Sequence, residues 1–148
     1  MKLAALLWLA SLMPQPVSDP LCLATTVYLE ARNQSVLGQR AVAEVALRRL
    51  ESGRWGNTMC EVVTAPKQFA PTLVSPDFEL KNLKAWNKAV AVAFRSQRVW
   101  RLPSQRRPLL VPGADHFVAE KLASPAWAQG VPVAQIGDHT FYRVIHLR

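Results

Sequence analysis

Residues 24–33 read ATTVYLEARN, a stretch that is typical of the interior of a helix except for one acid. The periodicity predicts a helix over 21–32, in which Leu23, Val27 and Glu30 share one stripe at i, i+4 and i+7. An acid on an apolar stripe is exposed at a helix end, paired with a base, or held in a cleft. The role of Glu30 is therefore the first question that this sequence raises.

Two interpretations of Glu30 follow from its position. In a cleft, the low dielectric raises the pKa of a carboxyl, and a Glu that is tuned towards neutrality can donate a proton to a glycosidic oxygen. In the alternative, Glu30 forms a structural salt bridge with Arg32 or with an arginine elsewhere in the chain. Periodicity alone leaves both interpretations open.

The rest of the chain predicts one domain of mostly helices with a small C-terminal β-hairpin, an α+β class. Recurrent prolines between 58 and 78 allow one short helix at most. Gly137-Asp138 is a two-residue hairpin turn, because Gly readily supplies the unusual first φ. The remaining predicted elements are helices over 36–50 and 80–97, an exposed basic loop over 101–112, and strands over 133–136 and 139–145.

Glu44 is the second acid within a predicted helix. Arg40, Glu44 and Arg48 lie at i, i+4 and i+8. This spacing predicts an exposed ladder of ion pairs, each contributing a few tenths of a kcal/mol.

The first twenty residues predict an export segment, which leaves 21–148 as the mature domain. Lys2 precedes an apolar run over 3–13, which is too short to span a bilayer but matches a secretory signal. Prolines at 14, 16 and 20 are expected to break any helix. The segment is either cleaved or kept as a weak, transient anchor at the inner membrane. The alternative is an ordinary buried N-terminal helix.

Cys22 and Cys60 are the only cysteines, and both lie in the predicted mature domain. In an oxidising compartment they can form a disulfide that closes a loop of roughly 38 residues, which stabilises the fold by about 3–4 kcal/mol. The alternative is two buried thiols. Their spacing fits neither a zinc site nor a redox motif.

The net charge of +8 predicts attraction to an anionic partner. The arginines are dispersed and no stripe of aromatic and basic residues appears, which argues against a nucleic-acid binder. The sequence contains no metal-ligand cluster and no Gly-rich phosphate loop, so no cofactor is expected.

Six sequence blocks occur in an order that resembles the SleB-like cell wall hydrolases, the germination-specific, spore-cortex-lytic type. Any one block is weak evidence, but their common order from about 21 to 143 is specific. The blocks are YLEAR (28–32), GQRAVAEVALRRL (38–50), CEVVTAPKQF (60–69), AWNKAVAVA (85–93), GADHF (113–117) and IGDHTFYR (136–143).

The resemblance implies a small lysozyme-like fold that cleaves the bond between N-acetylmuramic acid and N-acetylglucosamine in peptidoglycan. The family's catalytic acid falls on Glu30. The implied substrate-binding residues are Gln68, Phe69, Phe117, His139 and Tyr142. The sequence departs from the family at Arg48, where Asn is frequent. His116 is expected at the surface, and core packing is the default for each Phe.

The resemblance leaves several alternatives open. A lytic transglycosylase needs only Glu30, whereas a muramidase-type hydrolase needs a partner carboxylate about 5–9.5 Å away. The candidates for that partner are Asp77, Glu79, Asp115 and Glu44. A third possibility is an exported, non-catalytic glycan-binding module. The expected protein is a monomer that acts on peptidoglycan strands in the periplasm or cell wall, near an anionic envelope surface, as a bacterial wall-remodelling enzyme or a phage endolysin.

Overall fold

The computed structural model describes residues 1–66, 68–119 and 125–145. Within these ranges the chain is mostly helical, with a small three-stranded antiparallel sheet at its C-terminal end, which confirms the predicted fold class. The helices are α1 (Leu3–Ser11), α2 (Gln15–Ala31), α3 (Val36–Ser52), α4 (Met59–Thr64) and α5 (Leu83–Trp100). The strands are β1 (His116–Val118), β2 (Pro132–Ile136) and β3 (His139–Tyr142), and short 3-10 turns cover Ala70–Thr72, Ser104–Arg106 and Ala126–Gln129.

Helix α2 lies at the centre of the helical core, in contact with all four other helices. Its side chains Cys22, Leu23, Ala24 and Val27 are fully buried. The predicted apolar stripe is therefore real, and Glu30 is carried by the most enclosed helix of the domain.

The start of α2 corrects the prediction that the prolines break any helix here. The helix begins at Gln15 and runs through Pro16 and Pro20. Pro16 is tolerated because amides of the first turn have no partner within a helix. Beyond it, Asp19 is buried and accepts a hydrogen bond from the Met59 amide at 2.9 Å, which fixes this turn against α4.

Helix α1 packs onto the domain through Leu3 and Ala10, which are 1% and 2% exposed. The backbone also pairs, since the Leu3 amide donates to the Phe78 carbonyl and the Leu80 amide to the Met1 carbonyl. None of the helices among the described residues has the length and hydrophobicity that a bilayer span requires. Export through residues 1–20 stays a prediction.

The sheet has β3 in the middle, antiparallel to β1 and to β2. The predicted hairpin is confirmed, and Gly137 has a φ of 59° at its turn. Strand β1 was not predicted, because three residues are too short to show an alternating pattern. All four residues of β3 are buried, so this strand belongs to the core rather than to a solvated hairpin.

The predicted exposed ladder at Glu44 is wrong. Glu44 is buried, and its carboxylate accepts hydrogen bonds from the Leu110 and Val111 amides at 2.7 and 2.9 Å and from Arg48 at 3.0 Å. The acid thus holds the 108–111 segment against α3. The same contacts correct the prediction of a wholly exposed loop over 101–112, since Val111 is fully buried.

The predicted disulfide between Cys22 and Cys60 is present, with Cα atoms 5.1 Å apart. It joins the middle of α2 to α4. The chain segment that leads to Gln68 and Phe69 is therefore covalently tied to the helix that carries Glu30.

Candidate active site

Glu30 lies in the last turn of α2, half-buried, and points to the turn that follows α4. Its Oε1 accepts a hydrogen bond from the Ala70 amide at 2.7 Å. Burial raises the pKa of Glu30 above its ordinary value of 4.5, although the Ala70 amide and the charge of Arg49 act in the opposite direction. Glu30 therefore holds its proton to a higher pH than a solvated glutamate does.

Arg49, on α3, is the charged neighbour of Glu30 and is only 3% exposed. Its Nε donates to the Asp115 carbonyl at 2.7 Å, and its Nη1 donates to Gln68 Oε1 at 3.0 Å. The guanidinium also lies over the rings of Trp55 and Phe69, 4.4 and 4.8 Å from their centroids. These contacts leave it little freedom to move.

Burial lowers the pKa of Arg49 to about 10, while the charges of Asp115 and Glu30 favour the cation. Arg49 is therefore still charged at neutral pH and forms a fixed positive charge beside Glu30. The sequence interpretation missed this residue. The available signal was its place beside Arg48 near the end of the block GQRAVAEVALRRL (38–50).

Gln68 and Phe69, both predicted from the resemblance, lie at this site. Gln68 is exposed, and its Oε1 accepts a hydrogen bond from Arg49. Phe69 is 1% exposed and packs under the guanidinium, as a core residue rather than an open cleft wall.

Phe117 and His139 extend the site as an aromatic cluster. The Phe117 ring lies 6.0 Å from Phe69, 5.3 Å from His139 and 5.8 Å from Phe141 between centroids. His139 is buried, and its Nδ1 has no hydrogen-bond partner among the described residues. Burial lowers the pKa of His139, with Asp138 opposing, so the ring is neutral at physiological pH.

Tyr142 belongs to a second aromatic row. Trp127 lies between Tyr142 and His116, at 5.7 and 4.8 Å between ring centroids, and Trp55 lies 6.2 Å from His116. Tyr142 is only 4% exposed, so the side chain offers little open face to a sugar. The prediction that His116 lies at the surface is wrong, because this ring is enclosed between Trp55 and Trp127.

Asp115 lies next to His116 of this row. Its carboxylate accepts hydrogen bonds from the Val144 and Ile145 amides and is 2.9 Å from His116 Nδ1. Burial alone raises the pKa of Asp115, but the contacts with His116, Val144 and Ile145 outweigh it, and the pKa is lowered. This carboxylate is ionised and held by three neighbours.

Two cavities lie in this region, and Glu30 is not among the lining residues of either. One of about 610 Å³ lies beside α2 and is lined by residues that include Tyr28, Arg32 and Glu79. Another of about 340 Å³ has Trp55 and Asp115 in its wall. In the described residues, no group of three His, Cys, Asp or Glu side chains is placed to hold a metal ion.

The comparisons with known proteins give one match. A family model described as Cell Wall Hydrolase matches residues 33–142, which is most of the chain. No curated protein and no solved structure matches. The matched range includes Arg49, Gln68 and the aromatic clusters, but begins three residues after Glu30. On this match, the chain belongs to the cell wall hydrolase family.

Proposed function

We propose that Glu30 is the single catalytic acid and base of a lytic transglycosylase that cleaves the bond between N-acetylmuramic acid and N-acetylglucosamine. Membership of the family makes peptidoglycan the substrate and the cell wall the place of action. The observation that carries the proposal is the environment of Glu30, a half-buried carboxyl whose pKa is raised by burial and which feels the charge of the fixed Arg49 cation. Glycosidic cleavage needs such a proton donor.

The reaction balances with one carboxyl. Protonated Glu30 donates its proton to the glycosidic oxygen as the bond from that oxygen to C1 of the muramic acid breaks. The Glu30 carboxylate then takes the proton of the muramic acid 6-hydroxyl, whose oxygen closes on C1. The product is a 1,6-anhydro sugar, Glu30 is protonated again, and no water is consumed.

Arg49 and Ala70 support both halves of this cycle. The Ala70 amide fixes Oε1, which leaves the other carboxyl oxygen to carry the transferred proton. After the first transfer the Glu30 carboxylate is negative, and the charge of Arg49 stabilises it. Preorganised charges of this kind cost no reorganisation during the reaction.

The competing mechanism is a hydrolase with a second carboxylate. Glu44 and Asp115 are poor candidates, because backbone amides and a neighbouring side chain occupy their carboxylates. Asp77 is largely exposed beside Lys2. Glu79 is exposed, pairs with the N-terminal amine at 3.3 Å and lines the cavity of about 610 Å³ beside Tyr28 and Arg32, which Glu30 does not line, so it is the remaining candidate rather than a favoured one.

Mass analysis of digested peptidoglycan tests the proposal. A transglycosylase gives muropeptides that end in 1,6-anhydromuramic acid, which weigh one water less than the reducing products of a hydrolase. Anhydro products that vanish in Glu30→Gln support the assignment. If the parent gives reducing products and Glu79→Gln does not, the hydrolase mechanism replaces the transglycosylase assignment. Glycan binding without any cleavage by the parent protein indicates the non-catalytic module instead.

The biological setting is a separate matter from the chemistry. A phage endolysin and a wall-remodelling enzyme share the same bond cleavage, and the charge and the export prediction suit either. Neighbouring genes distinguish them, because a holin-like membrane protein encoded next to this chain points to phage lysis.

A further inference from the structure

The positive charge of this protein is concentrated in one segment. Residues 80–114 contain eight Lys and Arg and no acid, whereas the whole chain has a net charge of +8. The remaining residues are therefore neutral in sum. The eight cations are Lys81, Lys84, Lys88, Arg95, Arg98, Arg101, Arg106 and Arg107. A charge imbalance of this kind indicates an anionic partner for that part of the surface.

Helix α5 arranges four of these cations in a single stripe. At about 100° per residue, Lys84, Lys88, Arg95 and Arg98 fall within an arc of about 80° and extend over about 21 Å of the helix. All four are exposed. The opposite face of the same helix buries Ala89, Val92, Ala93 and Ser96, which fixes the stripe towards solvent.

Among the described residues, no acidic side chain forms an ion pair with the four cations of the stripe. Within the described ranges, Arg107 is the one cation of the segment that forms an ion pair, with Glu51 at 2.8 Å. Lys84 and Lys88 are at i and i+4, where like charges destabilise a helix by a few tenths of a kcal/mol. The repulsion is relieved when an external anion lies against the stripe.

The stripe also points away from the candidate active site. Helix α5 packs its buried face against α2 and α3, the helices that carry Glu30 and Arg49. A glycan strand at Glu30 therefore lies on the other side of α5 from the four cations. The stripe suits a partner other than the strand that is being cleaved.

We propose that the α5 stripe docks the enzyme on a bilayer that contains anionic phospholipid. The four cations form a straight row within a narrow arc, so they can contact a flat charged surface simultaneously. A partner that binds in a groove would not need this arrangement. Each Lys or Arg near such a surface strengthens binding about fivefold. The inference rests on the proposed function for the compartment alone, since an enzyme in the cell envelope works close to membrane phospholipid.

Sedimentation with lipid vesicles tests the proposal. The full-length protein is mixed with phosphatidylcholine vesicles, with or without phosphatidylglycerol, at low and at physiological salt. We expect binding only with phosphatidylglycerol, weakening as salt rises. The variant with Lys84→Gln, Lys88→Gln, Arg95→Gln and Arg98→Gln is expected to bind at least about tenfold more weakly.

The matched control removes the same number of charges elsewhere. It carries Lys2→Gln, Arg54→Gln, Arg106→Gln and Arg143→Gln, all at exposed positions outside helix α5. We expect it to bind vesicles within about threefold of the parent. If both variants lose the same amount of vesicle binding, net charge alone drives the binding, and the proposal of a specific stripe is overturned. A parent that ignores anionic vesicles but binds duplex DNA through the stripe also overturns the proposal.

Cleavage of soluble peptidoglycan fragments separates this inference from the proposed function. The stripe variant is expected to cleave them like the parent, because none of its four changes is at the candidate active site. Loss of vesicle binding with full cleavage supports the membrane stripe. A parent that binds vesicles but gives no anhydro products refutes the transglycosylase and leaves the stripe standing.

Discussion

Half-buried Glu30 and buried Arg49 interact through their charges without a direct hydrogen bond, and burial pushes each towards its neutral form. The pKa of Glu30 is raised, and that of Arg49 is lowered to about 10, while each charge favours the other. A proton donor with a cation beside it is suited to a reaction in which the acid becomes a carboxylate halfway through the cycle.

Glu30→Gln is expected to fold like the parent and to lose about 10²–10⁴-fold in lytic rate, because the amide keeps the acceptor for Ala70 but cannot donate the proton. The measurement is turbidity loss of permeabilised cells. Glu61→Gln, at an exposed acid on α4, is the control and should lyse like the parent. A Glu30→Gln rate within threefold of the parent would sink the assignment.

Glu30→Gln is also expected to be more stable than the parent at neutral pH. The folded pKa of Glu30 is raised, so between pH 4.5 and that pKa the folded chain binds more protons than the unfolded chain. The stability that Glu30 contributes is full below the unfolded pKa and is lost as pH rises through the folded pKa. The loss is about 1.4 kcal/mol for each pH unit that separates the two pKa values. Urea unfolding at pH 4 and pH 7 should therefore show a gain only at pH 7, and an equal gain at both contradicts the raised pKa.

Arg49 is expected to set the alkaline limb of the pH–activity profile. The proposed mechanism requires protonated Glu30, so the rate is expected to fall as pH rises through the pKa of Glu30, which the charge of Arg49 lowers. Arg49→Met should move the limb to higher pH and lower the maximal rate by on the order of 10²-fold. Arg49→Lys keeps the charge and is the control, with the limb near that of the parent. If the Met and Lys limbs coincide, the role of Arg49 is only to hold Gln68 and the Asp115 carbonyl in place.

Reduction of the Cys22–Cys60 disulfide is expected to lower the free energy of unfolding by about 4 kcal/mol, from the entropy of a loop of this length. Urea unfolding with and without reductant measures it, and the double variant Cys22→Ser, Cys60→Ser is the control, indifferent to reductant. Activity should fall before the helices melt, because α4 leads to the Ala70 amide. Equal unfolding midpoints for oxidised and reduced protein contradict this prediction.

The N-terminal boundary of the stable domain is expected at the start of α2 rather than at Leu21. A chain that begins at Pro14 keeps Asp19, whose carboxylate accepts from the Met59 amide, whereas a chain that begins at Leu21 loses it. Leaving that buried amide unpaired costs about 1–3 kcal/mol. Melting curves of the two chains check this. In the Pro14 chain, Asp19→Ala should reproduce most of the difference, and equal melting of all three chains contradicts it.

The helices were predictable because their periodic stripes are long. The helices predicted over 36–50 and 80–97 appear as Val36–Ser52 and Leu83–Trp100, with shifts of two or three residues at some ends. Pro20 misled the prediction at α2, because tertiary contacts of Asp19 and Cys22 outweigh one missing backbone hydrogen bond.

The site was predictable only in part. The resemblance implied Gln68, Phe69 and Phe117 as substrate-binding residues, and the structure places Gln68 and Phe69 against Arg49 and Phe117 against Phe69. Arg49 itself was missed because helical spacing does not show whether an arginine is solvated or buried. Glu44 was misjudged for the same reason, since its partners are the Leu110 and Val111 amides, 66 and 67 residues away.

The disulfide has a consequence for where this enzyme can be active. Cys22 lies two turns before Glu30 on the same helix, and Cys60 lies ten residues before the Ala70 amide that orients it. One covalent bond thus sets the spacing between an acid and its orienting amide. Thiols stay reduced in the cytosol and pair outside it. If the chain is exported as predicted, the reduced protein inside the cell is expected to be a looser, less competent catalyst, and oxidation in the envelope is expected to complete the site where peptidoglycan is found.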